Sequence, residues 1–202
     1  MSERSTELPV FAPQVVHQER GDAARNRALL LAAARNLVAE RGADAVTTDD
    51  IAAAAGVGKG TLFRRFGSRA GLMMVLLDED EQAVQQAFLF GPPPLGPGAP
   101  PADRLVAFGR ERIRFAHDHC ELLSAANRDP QSRRNAPAMV LRTHVRMLLK
   151  AAESTGDLDA QTDALLALLD VDYVEHQLAD GGHTLTTLGD AWESLARKLC
   201  GR

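Results

Sequence analysis

The sequence predicts an all-α protein, and three observations support this fold class. Aromatic residues make up only 4% of the 202 residues, while alanine and leucine dominate, and this composition favours helix over sheet. Apolar residues recur at three- and four-residue spacing along most of the chain. No segment of useful length shows the alternation of apolar and polar residues that is typical of a strand.

The charges are distributed unevenly along the chain. The net charge is −4, yet residues 20–70 contain nine Lys and Arg against five Asp and Glu. Residues 71–202 contain 13 Lys and Arg against 19 Asp and Glu. A basic segment within an acidic chain indicates a module that binds a polyanion, attached to a part that a polyanion repels.

Targeting and redox signals are weak throughout the sequence. We find no run of about 18 apolar residues and no pattern of a signal peptide at the N-terminus. Cys120 and Cys200 form no motif with each other. We therefore expect a cytoplasmic protein with no membrane partner.

The first part of the chain predicts a tail followed by three helices. Residues 1–20 lack sustained periodicity and are predicted to be flexible. A helix is predicted from Asp22, a good N-cap, to the stop signal at Gly42. Thr47 and Asp50 match the capping-box pattern, which predicts a short helix through Ala55. Gly56 then breaks that helix, and a second short helix is predicted over residues 58–66.

The second part of the chain predicts a larger helical domain. Ser68 caps a helix that stops at the Pro/Gly connector "GPPPLGPGAPP", residues 91–101. Further helical patterns cover about 102–127, 136–155, 160–180 and 187–200, so eight or nine helices are expected. The predicted domains are a helix-turn-helix domain over 21–68 and a helical domain over 69–202.

The two short helices have the spacing of a helix-turn-helix. Small side chains at Ala52 and Gly56 allow the helices to cross closely, and Ile51 and Leu62 belong to the predicted buried seam. Four cations lie outside this seam and suit DNA phosphates or guanine edges: Lys59, Arg64, Arg65 and Arg69. Gly58 and Gly60 would let the backbone approach DNA.

The stretch "TTDDIAAAAGVGKGTLFRRFGSRAGL" resembles the N-terminal DNA-binding domain of the tetracycline-repressor (TetR) family of bacterial regulators. The similarity covers about residues 22–70. It implies a homodimer that binds a double-stranded DNA operator and carries a variable helical domain for a small-molecule effector. The residues that the resemblance places at DNA are Thr47, Thr48, Lys59, Gly60, Thr61, Phe63, Arg64, Arg65 and Arg69.

The sequence departs from the family pattern at three places. Gly58 replaces the usual Ser cap, and Phe63 lacks the hydroxyl of the Tyr that is frequent there. The pair Arg64-Arg65 replaces a frequent aromatic/His pair, which should strengthen the electrostatic part of DNA binding and steepen its salt dependence.

Polar residues on apolar helix faces in the second domain are candidates for an effector pocket. The predicted pocket residues are Phe108, Arg112, Phe115, His119, His144 and Met147. The alternative is that the polar members bond to backbone or extend to solvent at the edge of the core. Cys120 lies on the same stripe, and His117 and His119 point to opposite sides of a helix, so no metal site is expected.

The last helices have strong apolar patterns that suit a four-helix bundle across a two-fold axis. The predicted dimer residues are Leu165, Leu169, Tyr173, Leu188, Trp192, Leu195 and Leu199. The alternative is that they form an intramolecular core.

The sequence therefore predicts a DNA-binding transcriptional regulator, with effector-responsive repression of a pseudo-palindromic operator implied by the resemblance. The alternatives are a helical protein-interaction scaffold and an enzyme that processes a small molecule. We find no Gly-rich phosphate loop, nucleophile–base motif or metal quartet, so neither catalysis nor a cofactor is expected.

Overall fold

A computed structural model describes residues 14–127 and 136–201 of the chain. These residues form ten helices and no strand, which confirms the predicted all-α class. The contacts divide the chain into two compact units, Met1–Leu76 and Leu77–Arg202. None of the described helices is both long enough and apolar enough to cross a membrane.

The first unit is built from three helices and the beginning of a fourth. Their bounds are α1 (Gln14–Arg41), α2 (Thr48–Ala55), α3 (Lys59–Phe66) and α4 (Arg69–Phe90), of which α4 continues into the second unit. α1 packs against both α2 and α3. Its predicted apolar stripe is buried at Leu30, Ala34 and Leu37, and the seam residues Ile51 and Leu62 are completely buried.

Local sequence signals place the ends of these short helices as expected. The Thr47 hydroxyl accepts a hydrogen bond from the Asp50 backbone N–H (3.2 Å), while the Thr47 N–H donates to the Asp50 carboxylate (3.0 Å). Gly56 ends α2 with φ of 65°, the left-handed conformation that glycine adopts without a steric penalty. The Ser68 hydroxyl accepts from the Gly71 N–H (3.0 Å) at the start of α4. The chain direction through the helix-turn-helix is thus set by residues close in sequence.

The second unit is organised around one helix, which packs against four others. That helix is α5 (Pro101–Asp118), and the rest are α6 (Cys120–Asn127), α7 (Ala136–Ala151), α8 (Leu158–Ala167), α9 (Val171–Ala179) and α10 (Leu185–Leu199). α5 contacts α6, α7, α9 and α10, while α7 also packs on α8. The core between them contains Phe88, Phe108, Leu148 and Trp192.

Trp192 of α10 fixes the contact between α10 and α5. Its indole N–H donates to the Leu105 carbonyl of α5 (3.0 Å), and its ring lies directly on Gly109. A Cβ atom at residue 109 would overlap that ring, so the missing side chain of Gly109 makes room for the indole.

The helices differ from the sequence expectation mainly at three places, two of which raise the number of helices in the described residues to ten from the expected eight or nine. α1 begins at Gln14, inside the predicted tail, where residues 14–21 contain no proline that would prevent a helix. Residues 1–13 of that tail lie outside the described residues. The pattern over 102–127 is divided at His119, whose φ of −120° departs from helical geometry. The pattern over 160–180 is divided before Asp170, whose side chain accepts from the Asp172 N–H (3.0 Å) and caps α9. Apolar periodicity continued across both breaks and concealed them.

Candidate functional site

α3 exposes most of the side chains that the sequence assigns to DNA. Leu62 is buried, Thr61 and Phe66 are half-buried, and Lys59, Phe63, Arg64 and Arg65 are exposed. The helix therefore buries one apolar stripe against α1 and α2 and leaves its cations on the outside. An Arg64 guanidinium N–H reaches the Thr61 hydroxyl at 3.4 Å, a weak contact that leaves the arginine other donors.

The start of α3 is open to a close approach. Gly58 is the N-cap and offers no side-chain hydrogen bond, so the first N–H groups of α3 lack a side-chain cap. An added Cβ at Gly58 or Gly60 would meet no atom of the described residues within 4 Å. Neither glycine is required by internal packing, and both leave the backbone accessible to a large partner.

An ion pair connects the N-terminal turns of α2 and α3. The Lys59 ammonium lies 2.6 Å from a carboxylate oxygen of Asp49, and both side chains are more than half exposed. Thr47 and Thr48 stand at the beginning of α2, directly before Asp49. The structure thus brings Thr47, Thr48 and Lys59 to one end of the helix-turn-helix. Sequence reasoning did not identify Asp49, although its place in the first turn of α2 was visible.

The Asp50 side chain, next to this ion pair in sequence, forms part of the N-terminal cap of α2. The Thr47 hydroxyl donates to its carboxylate (2.6 Å), and this hydrogen bond is the main cause that lowers the pKa of Asp50, followed by the bond from the Thr47 N–H. Asp50 therefore stays ionised and holds the Thr47 side chain in place.

Arg69 occupies a different position from the other predicted cations. Its guanidinium donates to the backbone carbonyls of Val46 (Nε, 2.6 Å) and Ala43, and the side chain is half-buried. In this position it connects the start of α4 to the loop before α2. These contacts join residues more than 20 positions apart in the sequence, so no local sequence signal indicates them.

Two of the six predicted pocket residues lie in an aromatic cluster of the second unit. The His144 ring is 4.4 Å from the Phe88 ring and 5.1 Å from the Phe108 ring, centroid to centroid. Only 2% of His144 is exposed, and neither ring nitrogen has a hydrogen-bond partner within the described part of the chain. Burial lowers the pKa of His144 to about 4, and the charge of Arg104 contributes to this shift. The imidazole is therefore neutral at physiological pH.

A pocket of about 250 Å³ lies beside this histidine. Met147, also predicted, is one of its lining residues, which are Leu89, Met139, Val140, Thr143, His144 and Met147. Sequence reasoning missed Met139 and Thr143, although they lie eight and four residues, respectively, before Met147 on the same face of α7.

The other three predicted pocket residues form a separate polar cluster between α4 and α5. The Arg112 guanidinium donates to the Glu81 carboxylate (2.8 Å) and lies 4.4 Å from the centre of the Phe115 ring. Phe115 stacks on His119 (4.3 Å), whose Nε2 contacts the Asp80 carboxylate (3.0 Å). The side chains of Arg112, Glu81 and His119 thus have protein partners, and Cys120 next to them has a pKa that burial raises.

The predicted dimer residues have mixed positions in the second unit. Leu165, Leu188 and Trp192 are buried in its own core, whereas Tyr173 is exposed. Leu169, Leu195 and Leu199 pack partly buried against that core. Several of these side chains therefore have a role within one chain, and the dimer interface stays a prediction.

The first unit defines the class of protein: a helix-turn-helix whose second helix is short, amphipathic and basic on its outer face. The family model described as "Bacterial regulatory proteins, tetR family" matches residues 30–74. The match lies within the predicted helix-turn-helix and the start of α4, and it confirms the resemblance predicted from the sequence. No curated protein sequence matches the chain.

Solved structures of similar fold extend over most of the chain. A TetR-family transcriptional regulator from Streptomyces coelicolor matches with a TM-score of 0.62 and 21% identity, and the match covers 88% of this chain and 97% of the Streptomyces chain. A protein from Saccharomonospora viridis in complex with choline has a TM-score of 0.65 at 19% identity, covering 86% and 95%. RolR in complex with resorcinol has a TM-score of 0.60 at 20% identity, covering 91% and 96%. The chain thus has the all-helical fold of TetR-family DNA-binding regulators.

Proposed function

We propose that the protein is an effector-responsive repressor that binds a pseudo-palindromic operator as a homodimer. The DNA contacts would be made by α3 in the major groove and by the N-terminal turn of α2 at a phosphate. A ligand in the second unit would lower the affinity for DNA.

The observation that carries this proposal is the outer face of α3. Lys59, Arg64 and Arg65 are exposed on a helix of eight residues whose inner face is buried. The open space at Gly58 and Gly60 leaves room for DNA to approach the backbone. Cations and accessible N–H groups at a helix N-terminus are the groups that proteins use against phosphates and guanine edges.

Dimerisation is supported by a geometric argument. A recognition helix of eight residues reaches only a few base pairs, so one copy provides little sequence specificity. Two copies related by a two-fold axis read two half-sites about 34–36 Å apart, one turn of the duplex. The expected operator is therefore an inverted repeat.

Effector response is supported by the pocket beside His144 and by the ligands of two proteins of similar fold. Those proteins were crystallised with choline and with resorcinol. Leu89 of the pocket belongs to α4, the helix that begins in the first unit. We propose that ligand binding moves α4 and thereby changes the separation of the two recognition helices. A coupling free energy of about 1–3 kcal/mol is typical of such switches.

Selection of binding sites from random duplex DNA tests the proposal. We expect the enriched duplexes to contain an inverted repeat, and light scattering of the complex to give an even number of chains per duplex. The matched control is the Arg64→Ala/Arg65→Ala variant, which keeps the buried residues of α3 and should enrich no sequence. Enrichment of a site without two-fold symmetry, or none at all by the wild type, would overturn the proposal.

A further inference from the structure

The pocket between α4 and α7 combines an apolar lining with one unsatisfied polar group. Leu89, Met139, Val140 and Met147 provide apolar surface, and none of the six lining side chains is charged. The hydroxyl of Thr143 already donates to the Met139 carbonyl (2.8 Å). His144 is thus the lining residue whose side-chain polar atoms lack a partner within the described residues.

Such a histidine requires a physical explanation. Buried polar side chains nearly always have a hydrogen-bond partner, because an unpaired buried group loses its bonds to water without replacement. His144 is 2% exposed, and both of its ring nitrogens lack a hydrogen-bond partner among the residues that the structure describes. Its place beside Phe88 and Phe108 could be filled by an apolar side chain without this penalty. A ligand that bonds to the imidazole would supply the missing partner.

We propose that this pocket binds a neutral aromatic alcohol whose hydroxyl group forms a hydrogen bond with His144. The inference deepens the proposed function and rests on it only for the consequence of binding, namely release of DNA. A neutral imidazole has one donor and one acceptor, so it suits a hydroxyl group, which can serve either.

The size and walls of the pocket indicate an aromatic body. A cavity of about 150 Å³ holds benzene, so about 250 Å³ suits a substituted ring. Met139 and Met147 contribute thioethers, which make favourable contacts with aromatic rings. Both methionines are more than 40% exposed, at 64% and 46%, so their flexible side chains are free to move aside as a ligand enters towards His144.

The uncharged lining of the pocket disfavours an ionic ligand. A carboxylate would be buried among apolar side chains and meet a neutral imidazole. A cation would also be desolvated, and it would approach Arg104, the charged group that acts on His144. Arg104 itself donates to the Phe88 carbonyl (3.1 Å) and is not one of the lining residues.

Calorimetric titration of the full chain without DNA tests this proposal with four probes of similar shape: 4-ethylphenol, ethylbenzene, 4-ethylcyclohexanol and 4-ethylbenzoate. We expect 4-ethylphenol to bind about tenfold more tightly than ethylbenzene, because only the phenol pairs with the imidazole. It should also bind more tightly than the other two. If ethylbenzene binds as tightly as 4-ethylphenol, the proposed hydrogen bond is wrong. If 4-ethylcyclohexanol binds as tightly, the ligand need not be aromatic, and if 4-ethylbenzoate binds as tightly or more tightly, the ligand need not be neutral.

Two variants locate the hydrogen bond. His144→Leu keeps a similar volume without polar atoms, and we expect it to lose the preference for phenol while it still binds ethylbenzene. His176→Leu is the matched control and should keep the tenfold preference, since His176 is exposed on α9 and is not one of the lining residues. Loss of the preference in His176→Leu, or its survival in His144→Leu, would contradict the proposal.

The pH dependence gives a test that needs no variant. Because His144 remains neutral well below its usual range, 4-ethylphenol should bind equally well between pH 5.5 and 8, whereas an ordinary histidine would alter binding near pH 6.5. A change in affinity of threefold or more across that interval would contradict the assignment. Binding without any release of operator DNA would leave this inference intact and refute effector-responsive repression instead.

Discussion

The ion pair between Asp49 and Lys59 gives Lys59, which we propose contacts DNA, a competing partner before DNA binds. The two charged groups are 2.6 Å apart, and both lie at the surface. An exposed pair of this kind contributes at most about 1 kcal/mol, which a phosphate can readily replace. Its main effect is to place a negative charge where the phosphates of DNA are expected.

We therefore predict that Asp49→Asn increases the affinity for duplex DNA about two- to fivefold beyond the effect of the charge change alone. Asp44→Asn is the matched control, because Asp44 is also exposed in the first unit and its loss changes the net charge equally. Fluorescence anisotropy at low salt measures both affinities. If both variants increase the affinity for DNA equally, the ion pair with Asp49 does not limit the contact of Lys59 with DNA.

His144 provides a second prediction at the level of a single side chain, concerning stability and pH. Its pKa is about 4 in the folded chain and about 6.5 in an unfolded one, so between these values the unfolded state binds a proton that the folded state does not. The free energy of unfolding should fall as the pH drops through this window, by about 3 kcal/mol at pH 4 from this residue alone.

Urea unfolding of the wild type and of His144→Leu at pH 7, 6, 5 and 4.5 measures this contribution. We expect the variant to lose less stability on acidification, with the difference between the two curves growing below pH 6.5. Parallel curves would mean that the buried imidazole acquires its proton without a penalty. Other acidic and basic groups titrate in both proteins and cancel in the comparison.

At the level of helices, the contact of α5 with α10 depends on a missing side chain. Gly109 leaves the space that the Trp192 ring fills, and the indole N–H is bonded to the Leu105 carbonyl one turn earlier. Because the ring is held by this bond and by the surrounding core, it has little freedom to retreat.

Gly109→Ala should therefore destabilise the protein by about 1–3 kcal/mol, although alanine normally stabilises a helix interior by about 1 kcal/mol relative to glycine. Gly60→Ala in α3 is the control: its Cβ meets open space, so the melting temperature should stay the same or rise. Thermal unfolding followed by circular dichroism measures both. A stable Gly109→Ala variant would show that α10 can move away from α5.

Helix ends were predictable where the signal is local. The Thr47–Asp50 box, Gly56 and Ser68 act within four residues, and the structure has each of them in the expected role. The proline-rich segment after Phe90 likewise ended α4 as predicted. The breaks at His119 and Asp170 were missed, because the apolar period continues on both sides of each. Asp is nonetheless a preferred N-cap residue, so the break at Asp170 could have been predicted from the sequence.

At the level of the whole molecule, the sequence indicated the class of the protein better than the details of its second unit. The basic outer face of α3 follows from eight consecutive residues, so it was predictable. The carbonyl contacts of Arg69 depend on residues distant in sequence, which periodicity does not pair. The same holds for the surroundings of His144, whose ring nitrogens find no partner in the described part of the chain. The six predicted pocket residues were divided between two clusters for the same reason.

The uneven charge of the chain is also a property of the whole molecule. Residues 20–70 carry the excess of Lys and Arg, and residues 71–202 the excess of Asp and Glu. This separation should direct a polyanion to the first unit and keep it away from the second. We therefore expect the removal of cations from the first unit to weaken DNA binding more than the removal of cations from the second.

DNA binding by α3 is tested most directly by the salt dependence of the affinity for a duplex selected as described above. Lys59→Ala/Arg64→Ala is compared with Lys150→Ala/Lys198→Ala, which removes two exposed cations from the second unit. We predict that the α3 variant weakens binding at least tenfold and reduces the log–log salt slope by about 0.9 for each lost phosphate contact, while the control keeps both values. Equal affinities and equal slopes for the two variants would show that α3 does not bind DNA.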